Sequence, residues 1–130
     1  MTAPTQFIDV EDMLITYLST IPGLGGLSVE MPNLPVTPFV LITRVSGGDD
    51  YLTDRPTVDV EVFHADRTVS SDFARLVHDK MLHLRHFVVA GRGIDDVETV
   101  SGPHWLNWGD ENLQRHLASY IIHSRRTLST

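Results

Sequence analysis

Apolar residues change their spacing several times along the chain, and each change predicts an element. Val10, Met13, Leu14, Tyr17 and Leu18 recur at helical intervals and give one apolar face. A helix is predicted from near Asp9, which can cap free amides, with Glu11 and Asp12 where the helix dipole favours negative charge. Pro22-Gly23 ends it, and Gly25-Gly26 prolongs the break. A short strand follows over 27–31, stopped by Pro32. Prolines 32, 35 and 38 predict an extended, irregular segment. Residues 39–45, rich in aromatic and β-branched side chains, read as a buried strand. Ser46-Gly47-Gly48-Asp49-Asp50 reads as a loop or wide hairpin tip.

The clearest alternation lies over 57–63. Val58, Val60 and Val62 face one side, and Thr57, Asp59 and Glu61 the other, as in a strand with one wetted face. A second helix is predicted from Thr68 or Ser70 to about Arg85, with Val69, Phe73, Leu76, Val77, Met81 and Leu84 as its apolar stripe. Strand pieces over 87–90 and 94–100 flank Gly91-Arg92-Gly93. A turn at Gly102-Pro103 then leads to Trp105, Trp108 and a polar stretch. The last strand, 116–126, places Leu117, Ser119, Ile121 and His123 on one face and Ala118, Tyr120, Ile122 and Ser124 on the other. This order predicts one α+β domain over residues 1–130: a mixed, mostly antiparallel sheet of about four to six strands, with two helices packed on one face.

Composition bounds the function classes. The 130 residues suit one domain, and 42% hydrophobic with 21% charged residues is an ordinary globular balance. There is no cysteine, which removes disulfides, thiolate metal sites and cysteine nucleophiles. Residues 1–6 lack the basic and apolar regions of a signal peptide, and no apolar run approaches the roughly 20 residues that span a bilayer. The expectation is a protein made in the cytoplasm, with no membrane partner. Its net charge of −7, from 17 acidic and 10 basic residues, argues against specific nucleic-acid binding, which leans on basic stripes.

Candidate chemistry is sparse. Of seven histidines, His83 and His86 have a helical pair spacing but no acidic residue between them, and His78 is out of phase. They read as solvent-facing residues near a helix end. His64, His104, His116 and His123 read as single surface or interface residues. No G-x-S-x-G elbow, P-loop or calcium-hand pattern occurs, so no catalytic, metal or cofactor-binding residue is assigned and no enzyme is expected. The segment around Trp105 and Trp108 leaves three readings open: an interface anchor, a ligand groove, or one ring on the core edge with the other partly exposed.

Taken together, several segments resemble the tail terminator proteins of long-tailed, siphovirus-type phages, particularly those of actinobacterial hosts. They are the helix with its Pro-Gly break over 17–26, the proline-punctuated strand over 35–42 and Val-Asp-Val-Glu-Val-Phe over 58–63. The helix over 66–84, the aromatic after Gly-Pro over 102–105, and Arg115 before the strand over 120–126 complete the match. The resemblance implies a virion protein of the tail–neck region that forms a homo-oligomeric ring, commonly of six. Such a ring caps the major tail tube protein, stops its polymerisation and offers a docking surface to a head–tail connector or stopper. DNA would pass through the lumen without specific binding. Under that reading Trp105, Trp108, Arg115, Arg125 and Arg126 are candidate interface residues, and Asp49, Asp50, Asp59 and Glu61 candidate lumen or loop acids. The alternatives are another neck protein, whether head–tail connector or head completion protein, and a small metal-dependent hydrolase built on the histidines.

Overall fold

A computed structural model describes residues 5–6, 10–49, 53–84, 88–89, 92–110, 112–125 and 127–128. Its elements are β1 (Thr5–Gln6), α1 (Val10–Leu18), β2 (Gly26–Ser28), β3 (Phe39–Asp49), β4 (Thr53–His64), α2 (Arg67–His83), β5 (Val88–Val89), β6 (Arg92–Leu106), β7 (Gln114–Arg125) and β8 (Thr127–Leu128). The main sheet runs β2-β3-β4-β7-β6, with β5 added at the β6 edge. Only β2 is parallel to its neighbour. β1 and β8 pair apart from this sheet. The fold is the expected α+β arrangement, a mixed, mostly antiparallel sheet with both helices against it.

Both helices lie on one face because the sheet's period-two pattern leaves one apolar side. Val40, Ile42, Val58, Val60, Val62, Ala118, Tyr120 and Ile122 meet Met13, Leu14 and Leu18 of α1 and Phe73, Ala74, Val77 and Met81 of α2 in one buried cluster. Asp66 caps α2 by accepting from the Thr68 and Val69 amides at 2.8 and 3.1 Å. The Tyr17 hydroxyl donates to the Lys80 carbonyl at 2.7 Å and ties the two helices together. After α1, Gly23 turns the chain with φ of +82°, a region that favours glycine. Gly25 then lets the backbone approach so closely that a Cβ there would stand 2.6 Å from the Val36 carbonyl oxygen.

Three expectations are corrected. The β3–β4 ladder continues through Gly47↔Pro56 and Gly48↔Arg55 to Asp49↔Asp54, so residues 46–49 are strand and not a loop. Asp50 lies outside the described residues, as do Asp9, Arg85, His86 and Gly91. Gly102-Pro103 is not a turn: it sits inside the 15-residue β6, where the register with β7 shifts between Ser101 and His104. A proline without an amide hydrogen is tolerated there because bulges and edges do not need it in the ladder. In α2 the buried stripe is Ser70, Phe73, Ala74, Val77 and Met81, followed by Leu84, while Val69 and Leu76 are exposed.

Candidate functional site

Alternation along β4 and β7 gives the sheet a second face, turned away from both helices. Phe39, Leu41 and Phe63 form a small buried cluster at one end of it, with Met31 and Leu113 packed against them. Beyond it Asp59, Glu61, Leu117, Ser119 and Ile121 are half-buried, and Glu98, opposite Ile121, is exposed. Glu61 and Arg115 face each other there at 3.1 Å, with side chains only 12% and 21% exposed. The Arg115 guanidinium lies over the Trp108 ring, 5.1 Å from its centre, and also reaches the Asn107 carbonyl at 3.4 Å. The Ser119 hydroxyl donates to Asp59 at 2.6 Å.

These partners decide what the two candidate lumen acids can do. Burial raises the Glu61 carboxyl above its ordinary pKa, and the charge and hydrogen bond of Arg115 only partly offset it. Asp59 is tied to a hydroxyl. The face therefore offers a bonded, partly desolvated polar network instead of a row of free negative charge. Arg115 Nε is buried and has no hydrogen-bond partner among the described residues.

The two tryptophan rings pack on opposite sides of the sheet, Trp105 beside Arg67 and Trp108 against Phe63. Trp105 pairs across the ladder with His116 and carries the Arg67 guanidinium at 4.4 Å, on the side of α2. Its indole nitrogen donates to Gln114 Oε1 at 2.9 Å. Trp108 meets Phe63 edge-on at 5.0 Å, on the helix-free side. Each ring is 38% exposed, so each covers an edge of the fold and shows one flank to solvent. Of the proposed interface residues, Trp108 and Arg115 are in contact, and Trp105 and Trp108 both line a groove of about 270 Å³ with Asn107, Asp110, Leu113 and Gln114. Arg125 ends β7, with its side chain outside the described residues, as is all of Arg126; the Asp49 side chain is outside them too.

Sequence reasoning missed a groove of about 400 Å³ beside the start of α2, lined by Arg67, Thr68, Ser71, Arg75, His104 and His116, with Trp105 and Pro103. No carboxylate is among these lining residues. Thr68, Ser71 and Arg75 share one helix face by their three- and four-residue spacing, a signal present in the sequence. The contribution of His104 and His116 depends on strand register and had no such signal.

His116, expected at a surface or interface, is buried at 6% exposure. Its Nδ1 stands 2.8 Å from the Ser70 hydroxyl, which also reaches the Val62 and Gln114 carbonyls at 3.3 and 3.4 Å. Burial first, and then the charges of Arg67, Arg75 and His104, push its pKa below the ordinary value.

His78, His83 and His64 serve local structure. His78 stacks on Tyr120, its Nδ1 2.7 Å from a phenol that burial keeps protonated. His83 Nδ1 lies 2.7 Å from the Asp79 carbonyl, and His64 Nδ1 accepts from the Asp66 amide at 2.9 Å. Among the described residues, no three His, Asp or Glu side chains stand close enough to hold a metal ion. No protein-family model and no curated protein matches the chain.

Proposed function

We propose that this chain is a ring-forming structural protein that caps the tail tube of a long-tailed phage, stops its polymerisation and presents a docking surface for the head connector. The observation that carries the reading is the helix-free face of the sheet. Two helices close one side of the fold, whereas Asp59, Glu61, Leu117, Ser119 and Ile121 stay half-buried on the other. A partly desolvated polar network beside apolar side chains suits contact with other subunits better than permanent exposure to water. The resemblance noted in the sequence supports the same reading, because it covers nearly the whole chain. In a ring, each copy needs two different complementary patches, since the contacts of a cyclic assembly are heterologous. DNA would pass through the lumen without specific binding, in keeping with the net charge of −7.

The test is to mix the purified protein with its tail tube subunit and measure tube lengths by electron microscopy. Capped tubes that shorten as the protein concentration rises are expected. Unchanged lengths and bare tube ends would overturn the proposal and leave a neck protein on the head side as the next reading.

A further inference from the structure

Acidic residues gather in the first half of β6, and a groove with two arginines of α2 lies beside its end. Asp95, Asp96 and Glu98 are exposed near its start. Near its finish, His104 joins Arg67 and Arg75 of α2 in the basic groove. Six to nine residues of strand separate the two patches, or roughly 20–30 Å at about 3.3 Å per residue. Both patches sit on an edge, because β5 pairs only with Arg92 and Gly93 of β6. Beyond them, β6 has β7 on one side and no described strand on the other.

An open edge invites pairing with another strand, yet this one is poorly built for it. Its register with β7 shifts at three places, Ile94/Asp96, Thr99/Ser101 and Ser101/His104, and Pro103 has no amide hydrogen to donate. Such irregularities break the regular row of donors and acceptors that a partner strand needs. What the edge offers instead is charge. The groove gathers two arginines without a lining carboxylate, in a chain with seven more acidic than basic residues. The acidic group on β6 is its complement in sign.

We propose that the basic groove of one copy seats the acidic end of β6 from a second copy, with Arg67, Arg75 and His104 facing Asp95, Asp96 and Glu98 of the neighbour. The contact is heterologous, so it passes from copy to copy in one direction, as a ring requires. It rests on the ring reading above and supplies that reading with one of its two kinds of surface. Arg67 is already stacked on Trp105, which limits the ordering cost when the neighbour docks.

Charge reversal tests this with its own rescue. Native mass spectrometry would compare wild type with Arg67→Glu/Arg75→Glu, with Asp95→Arg/Asp96→Arg, with an equimolar mixture of the two, and with a chain carrying all four changes. Each pair alone should lower the oligomer fraction at least about tenfold, by placing like charges together. The mixture and the fourfold chain should regain it, because every groove then meets a neighbour of opposite sign. Circular dichroism should find each variant folded, because the sites are exposed. Oligomers indifferent to reversal, no rescue in the mixture, or a wild type that never associates would each overturn the contact. Tube lengths, recorded in parallel, keep the two claims apart. Capping untouched by reversal removes this contact and leaves the terminator reading standing. Charge-rescued oligomers that leave tubes bare do the opposite.

Discussion

The two faces of the sheet are built from the same strands and finished in different ways. On the helix side, Val58, Val60, Val62, Ala118, Tyr120 and Ile122 are 5% exposed or less, and α1 and α2 supply the matching apolar surface. On the other side, the alternate residues of the same strands are Asp59, Glu61, Leu117, Ser119 and Ile121, and among the described residues a buried apolar cluster forms at the Phe39–Leu41–Phe63 corner. The helix side is complete within one molecule. The second side holds a charged pair and a hydroxyl–carboxylate bond in a half-dry setting, where desolvation offsets much of the attraction.

The difference should be plain in unfolding experiments. Leu14→Ala empties a fully buried position between α1 and the sheet, and a loss of about 2–5 kcal/mol in urea-derived stability is expected. On the far face, Leu117→Ala should cost roughly 1 kcal/mol, since the side chain already meets water and the removed area is smaller. Equal losses at the two positions would mean that the helix-free face is packed in the isolated chain as tightly as the core.

Next in size is the Glu61–Arg115 pair. Arg115→Ala strands a carboxylate of low exposure and uncovers Trp108, which should cost about 1–3 kcal/mol, discounted from a fully buried pair because both groups retain some water. Replacing both partners, as Glu61→Met with Arg115→Leu, should recover most of that loss. If the double variant is no better than the single one, the pair stabilises the fold instead of specifying a surface.

Much of this contrast was legible in the sequence. Val58, Val60 and Val62 alternate with Thr57, Asp59 and Glu61, and that alone fixes which side is apolar. The spacing of Val10, Met13, Leu14 and Leu18 places α1 on that side. What misled the reading was local chemistry overruled by pairing. Gly47-Gly48 has poor strand propensity, yet Pro56 and Arg55 lie opposite in register and the ladder runs on. Gly102-Pro103 looks like a turn, but an edge strand accepts a proline at a bulge. Trp105 and Trp108 stand three apart in sequence and on opposite faces in space, because β6 ends at Leu106 between them. Nothing in the sequence couples His116 to Ser70, 46 residues earlier.

Acid should sharpen the comparison, since the two faces respond to it with opposite sign. His116 has a folded-state pKa below its ordinary 6.5, so on acidification the unfolded chain takes up the proton first. Its contribution is fully present above about pH 6.5 and is lost as pH falls through the folded value. Glu61 has a raised pKa, so the folded chain binds the proton first. Its contribution grows as pH falls through the raised value towards its ordinary 4.5. His116→Gln should therefore flatten the acid loss below pH 6.5, and Glu61→Gln should steepen it at lower pH, with urea midpoints across the range as the readout. Shifts of the same sign in both variants would break the assignment.

The smallest effect expected is at the rim of the groove. Arg75 and Asp72 form an i,i+3 pair at 2.7 Å, but their side chains are 68% and 65% exposed. Solvent screens such a pair, and holding two long side chains together costs rotamer freedom, so Arg75→Ala should change stability by less than about 0.5 kcal/mol. It should nonetheless lower the positive charge beside His116 and raise that histidine's pKa, which proton NMR of the imidazole would report. A change in stability comparable with that of Leu14→Ala would place Arg75 in the packing of α2. A small one leaves the groove as surface whose charge can be altered without disturbing the helix side that folds the chain.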